Sequence, residues 1–126
     1  MIAYAFDMQG TLVSYDLQLP RPEIISIARA LFVAGHPVFV VSSCNIDNKG
    51  NPKAMALVAG LVERFDIPAT GVHLAYYDNG DEPTRLYRAG QSKAAKMREL
   101  RATVMFDDIA EIRRAIMDDG LVAIGV

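Results

Sequence analysis

The chain has 126 residues, which suits one domain of ordinary size, and its 52% hydrophobic and 22% charged residues exclude a disordered segment and allow a real core. A formal net charge of −2 lacks the basic excess of a duplex-binding protein, so no duplex nucleic acid is expected as a partner. The single cysteine, Cys44, excludes an internal disulfide. No apolar run reaches a membrane span and the opening residues lack a signal peptide's basic start, so a cytoplasmic chain without a membrane partner is expected.

Residues 2–6 are an apolar run that stops at Asp7, and Gly10-Thr11 then turns the chain; this predicts a first buried strand with a carboxylate at its end. Pro22 opens a helix to Ala34, with Gly35 as its stop and Ile24, Ala28 and Leu31 on one face. Pro37–Val41 is a second buried strand, and the polar residues 42–51 read as a loop. Asn51 can cap a helix starting at Pro52, with Met55, Val58, Leu61, Val62 and Phe65 as its apolar stripe.

Val72–Ala75 is a short third strand, followed by a turn-rich stretch, 76–90, that predicts a small hairpin or irregular loop. Ser92 can cap a helix through about Leu100. Thr103–Phe106 is a fourth strand ending in Asp107-Asp108. Ile109, Ile112 and Ile116 mark a helix stopped by Gly120, and Leu121–Ile124 is the last strand. This alternation predicts an α/β fold: a three-layer, Rossmann-like parallel sheet of about five strands with helices on both faces, in a single domain.

The strand ends would gather Asp7, Asp107 and Asp108 at one rim. Three carboxylates there repel one another unless a hard divalent cation such as Mg²⁺ sits between them. A hydroxyl from Ser42 or Ser43 and the ammonium of Lys93 would complete a site for a phosphoryl group, where positioning and charge stabilisation do most of the catalysis.

Four segments in this order resemble the motifs of the haloacid dehalogenase (HAD) superfamily. They are Asp7-Met8-Gln9-Gly10-Thr11 after the first strand, Val38-Phe-Val-Val-Ser42, Lys93 within Gly90-Gln-Ser-Lys93, and Val104-Met-Phe-Asp107-Asp108. The resemblance covers essentially the whole chain. It implies that Asp7 is a nucleophile forming an aspartyl phosphate. Ser42 and Lys93 would orient the phosphoryl group, with Thr11 and the competing Ser43 among its contacts, and Lys96 is the competitor of Lys93. Mg²⁺ would be held by Asp7, the Gln9 carbonyl and Asp107, with Asp108 or Glu111 adding a further or water-mediated contact. Asp108 is also the better cap for the following helix.

The departure is Gln9. The family's phosphatases carry a second Asp there as general acid and base, and a glutamine cannot exchange a proton at neutral pH. The resemblance therefore implies one of three outcomes: cleavage of an activated phosphate, a slow phosphomonoesterase, or a binding or regulatory module that keeps Mg²⁺ and phosphate without turnover. The chain also lacks room for a full cap domain. The site should be open, fitting a bulky phosphorylated substrate or closure by a second copy of the chain. Tyr76 and Tyr77 could line its mouth.

Other residues read more plainly. Cys44 is a loop thiol, and His36 and His73 form no motif with it. A response-regulator receiver domain shares the residue types but reverses their order, placing its acidic pair after the first strand.

Overall fold

The computed structural model describes residues 1–78, 80 and 82–126. Its strands are β1 (Ala3–Phe6), β2 (Val38–Asn45), β3 (Gly71–Tyr77), β4 (Ala102–Asp107) and β5 (Val122–Gly125). Its α-helices are α1 (Pro22–Val33), α2 (Pro52–Arg64), α3 (Arg85–Leu100) and α4 (Ala110–Asp118). The strands form one parallel sheet in the order β3-β2-β1-β4-β5. Among the described residues, no helix is long and apolar enough to cross a membrane.

Side-chain alternation along β1 divides the core into two layers. Phe6 packs with Met8, Leu12, Ile24, Ala28, Val58 and Leu61, under α1 and α2. Ala3 and Ala5 point the other way, into a layer with Val41, Ala75, Ala94, Met97 and Ile116, under α3 and α4. The small residues on that second face let α3 lie close to the sheet. They also let α3 approach α4: a Cβ at Gly90 would stand 2.6 Å from the Ile112 carbonyl oxygen and 2.7 Å from the Ala115 Cβ. Gly90→Ala should therefore lower stability. Overpacking costs about 1–3 kcal/mol, and the helix propensity gained returns about 1 kcal/mol. A thermal melt checks this, and an unchanged or raised midpoint would show that the two helices can separate freely.

The chain order reverses at β1: the path runs outward through β2 and β3, then returns to β4 on the other side. Parallel α/β sheets bind ligands in the crevice beyond the strand ends at such a reversal. Here that crevice lies between the ends of β1 and β4, where Asp7 and Asp107 stand.

Several boundaries differ from the sequence reading. β2 continues through Ser42–Asn45, so these residues are strand and not loop. Each pairs in register with β3, from Ser42 opposite Leu74 to Asn45 opposite Tyr77. Cys44 is accordingly a buried core residue. Among its described residues, the stretch 76–90 forms strand, 3-10 turn and helix. Tyr76 and Tyr77 end β3, a short 3-10 turn covers Glu82–Thr84, and α3 begins at Arg85. Asn79 and Asp81, within the predicted turn, lie outside the described residues. Ser92 is inside α3 and caps nothing; its hydroxyl donates to the Tyr76 carbonyl. Asn51 does cap α2, accepting from the Lys53 N–H at 3.0 Å.

Candidate active site

Asp7 follows β1 directly, and the strand's alternation turns its side chain toward α3, the face opposite Phe6. Lys93, one turn after Gly90, meets it there. The Lys93 ammonium donates to Asp7 Oδ1 at 2.7 Å and to Asp107 Oδ2 at 2.6 Å. Lys93 and Asp107 are fully buried and Asp7 nearly so, at 1%, 0% and 6% exposure. Thr11 is also buried, and its hydroxyl lies 3.2 Å from Asp7 Oδ2 and 3.3 Å from Asp108 Oδ1. It can donate to one of them at a time.

Burial pushes the Asp7 carboxyl up to about 7, with the charges of Asp107 and Asp108 adding to the rise and Lys93 opposing it. Burial alone would lower the Lys93 ammonium, but the charges of Asp7 and Asp107 outweigh it and hold the pKa above its ordinary value. The lysine is therefore a permanent cation inside the protein, present because two carboxylates surround it. Removing it would leave both carboxylates buried and uncompensated. Lys93→Met should cost roughly 3–5 kcal/mol, a large share of the stability of a small domain. A denaturant titration that found the variant as stable as the parent would refute this balance of charge.

Asp7, Asp107 and Asp108 each offer an oxygen within 4.8 Å of the others, a hard-donor set that could hold a metal. The three are not equivalent. Asp107 has both oxygens engaged, Oδ2 by Lys93 and Oδ1 by the Ile109 N–H at 3.0 Å. This contact to the chain entering α4 was expected of Asp108, which makes no such bond. Asp108 turns instead to the loop after β1. A Cβ at Gly10 would stand 2.4 Å from Asp108 Oδ2, and Gly10 has φ +83°, so only glycine fits this close approach. The Gly10 carbonyl is held in turn by Arg21 Nη1 at 2.7 Å.

A cavity of about 170 Å³ opens onto this cluster, lined by Asp7, Gln9, Ser42, Ser43, Tyr77 and Lys93, with Tyr15 and Ile109 among its other walls. Both serines reach it. Ser43 stands two residues beyond Val41 on the same face of β2 and pairs with Ala75, both members of the α3-side core, so it shares a face with Asp7. The Ser43 Oγ is buried and makes no hydrogen bond among the described residues. Gln9 Nε2 donates to the Tyr15 carbonyl at 2.6 Å. Thr11 does not line the cavity; it braces the carboxylates from behind. Lys96 pairs with Glu99 at 2.9 Å on the surface, and Glu111 is exposed away from the cavity.

Two tyrosines at the cavity escape motif reading or enter it only loosely. Tyr77 was a candidate for the mouth and does line it, whereas Tyr76 does not. Tyr15 carries no sequence signal. Partial desolvation at the cavity and the nearby carboxylates, Asp108 foremost, raise its pKa.

No protein-family profile and no curated relative matches the sequence. Solved structures do match its fold. A chain of the Pnkp1/Rnl/Hen1 RNA repair complex superposes with a TM-score of 0.71 at 13% identity, over 98% of this chain and 42% of that one. The present chain thus spans under half of that relative's length. D,D-heptose 1,7-bisphosphate phosphatase from B. bronchiseptica, complexed with magnesium and phosphate, gives 0.67 at 11% identity, covering 98% of this chain and 79% of that one. A HAD-like phosphatase assigned as such in Mesorhizobium loti gives 0.65 at 20% identity, covering 96% and 69%. At these identities the likeness establishes a shared fold, a Rossmann-like five-stranded parallel sheet.

Proposed function

We propose that this chain is a Mg²⁺-dependent phosphohydrolase that acts through a phosphoaspartate on Asp7. The observation that carries the reading is the buried Asp7–Lys93–Asp107 chain opening onto a cavity, with Asp108 alongside. An ammonium held between two carboxylates fixes one of them as an oriented nucleophile, and an unpartnered Ser43 hydroxyl faces the same space. The HAD-like phosphatases that share the fold support the same class of chemistry.

Bound at Asp7, Asp108 and the Gln9 carbonyl, Mg²⁺ would supply positive charge against the phosphoryl oxygens. The engaged oxygens of Asp107 make it the anchor of Lys93 and favour Asp108 as the ligand. An Asp7 oxygen forms a bond to phosphorus as the bond to the leaving oxygen breaks, and the leaving group keeps the electron pair. Ser43 and Lys93 donate to the phosphoryl oxygens. Water then attacks phosphorus, releasing inorganic phosphate, regenerating the Asp7 carboxylate and passing its proton to solvent. Gln9 can protonate no leaving group, so anhydrides and acyl phosphates are turned over faster than alkyl esters.

A second reading is a catalytically degenerate module that keeps Mg²⁺ and phosphate binding. The tie from the Gln9 amide to the Tyr15 carbonyl favours it, because that side chain is occupied by the loop. Phosphate release from acetyl phosphate, an aryl phosphate, nucleotides and sugar phosphates, with and without Mg²⁺, separates the two. Mg²⁺-dependent release supports the enzyme. No release across the panel, together with Mg²⁺-dependent phosphate binding, supports the module.

A further inference from the structure

A second cavity, of about 240 Å³, adjoins the first and shares Gln9, Ser42 and Ser43 with it. It lies on the other side of β2, under α2. Its character is different. Met8, Val58, Leu61 and Leu74 are buried core residues that form its floor, and the half-exposed Leu57 stands at its edge with Ala54 beside it. Asn45 and Asn48 are its other polar lining residues. Among its described lining residues none is charged. An apolar floor open to water is a place where an apolar group gains by displacing solvent, and pockets of this composition typically hold the uncharged part of a ligand.

Resting on the phosphohydrolase reading, we propose that this cavity receives the leaving group of the substrate, and that the substrates are phosphates of an apolar aryl or acyl group. Two independent features converge on this class. The cavity adjoins the Asp7 site through the shared residues Gln9, Ser42 and Ser43, so a phosphoryl group at Asp7 places its substituent at the opening. Gln9 stands at the junction and cannot donate a proton to the departing oxygen. A carboxylate or phenolate departs with the electron pair and needs none. A sugar or nucleoside alkoxide would need a proton that Gln9 cannot supply, and its hydroxyls would meet an apolar floor with polar groups only at Gln9, Ser42, Ser43, Asn45 and Asn48.

Benzoyl, phenyl and benzyl phosphate carry the same ring on leaving oxygens of increasing basicity, and acetyl phosphate lacks the ring. Benzoyl phosphate should exceed acetyl phosphate roughly 30–100-fold in kcat/KM from burial of the ring, and kcat/KM, which reports formation of the phosphoenzyme, should fall steeply from benzoyl to phenyl to benzyl. If benzoyl leads and phenyl is inert, the source is an acyl phosphate; if both are turned over, aryl phosphates belong to the class. Ala54→Phe, which fills the cavity, should collapse the benzoyl-to-acetyl ratio, as should Leu57→Gln at the more tolerant edge. Amide chemical shifts give a readout without turnover. Benzylphosphonate should perturb residues around Ala54 and Leu57 as well as Lys93, and methylphosphonate only those around Lys93. A ratio near one, or the same shifts from both phosphonates, would overturn the inference while leaving the phosphohydrolase reading intact. If neither phosphonate perturbs Lys93 and nothing is turned over, the phosphohydrolase reading falls and takes the inference with it.

Discussion

Asp7→Asn is expected to abolish phosphate release while the protein stays folded. The loss is one of nucleophilicity, since an amide oxygen does not form a phosphoaspartate. Removing a covalent nucleophile costs on the order of 10⁶-fold in a well-measured case, which would take any activity here below an assay's background. The fold survives because the substitution is nearly isosteric and the site already disfavours the charge. Burial pushes the Asp7 carboxyl up to about 7, so the folded state binds a proton more tightly than the unfolded chain. Stability from this group is then present at low pH and lost as pH rises from about 4 to about 7. The asparagine variant escapes that loss, and Lys93 keeps Asp107 at 2.6 Å. In chelator, its melting temperature relative to the parent should rise between pH 5 and pH 8. Turnover retained by Asp7→Asn would remove Asp7 as the nucleophile.

Two kinds of signal made much of this legible in the sequence. Strands β1 and β4 announce themselves because apolar runs end in acids, and a parallel sheet with its reversal at β1 brings those ends together. Lys93 was readable in order but not in depth: nothing in Gly90-Gln-Ser-Lys93 says that the ammonium is buried between two carboxylates. That follows from tertiary packing, from alanines on the α3 face of β1 and from Gly90 against α4. The turn-rich reading of 76–90 also misled, since α3 already begins at Arg85 and Gly90 lies inside it, packed against Ile112 and Ala115 of α4. The continuation of β2 through Ser42–Asn45 was hidden because polar residues resemble a loop. Their pairing with β3 satisfies the backbone, and alternation then sends Ser43 toward Asp7 and Cys44 into the other core. The choice between the two serines is a choice of sheet face, set by register and invisible in composition. Tyr15 reaches the cavity through a loop whose path depends on Gly10 passing under Asp108, for which the sequence offers only the glycine.

Gln9→Asp should raise turnover of phosphomonoesters with basic leaving groups by about 10²–10⁴-fold, the usual worth of general acid–base catalysis. The residue lines the cavity beside Asp7, and its amide is tied to the Tyr15 carbonyl. An aspartate cannot make that donation, so the shorter side chain is released from the loop and free to serve the substrate. Losing one exposed hydrogen bond costs about 0.5–1.5 kcal/mol, too little to unfold the domain. The gain should depend on the substrate: large for benzyl phosphate, whose alkoxide needs a proton, and small in the first step for benzoyl phosphate, whose carboxylate does not. The second step depends on position 9 for every substrate, because water attacking the phosphoenzyme needs a base. The parent should therefore release one equivalent of benzoate in a burst and then slow, with phosphate held on Asp7. In Gln9→Asp the slow phase should accelerate until the burst disappears. A burst unchanged in size and followed by the same slow rate would mean that the block to turnover lies elsewhere, and that Gln9 serves the Tyr15 loop and not the chemistry.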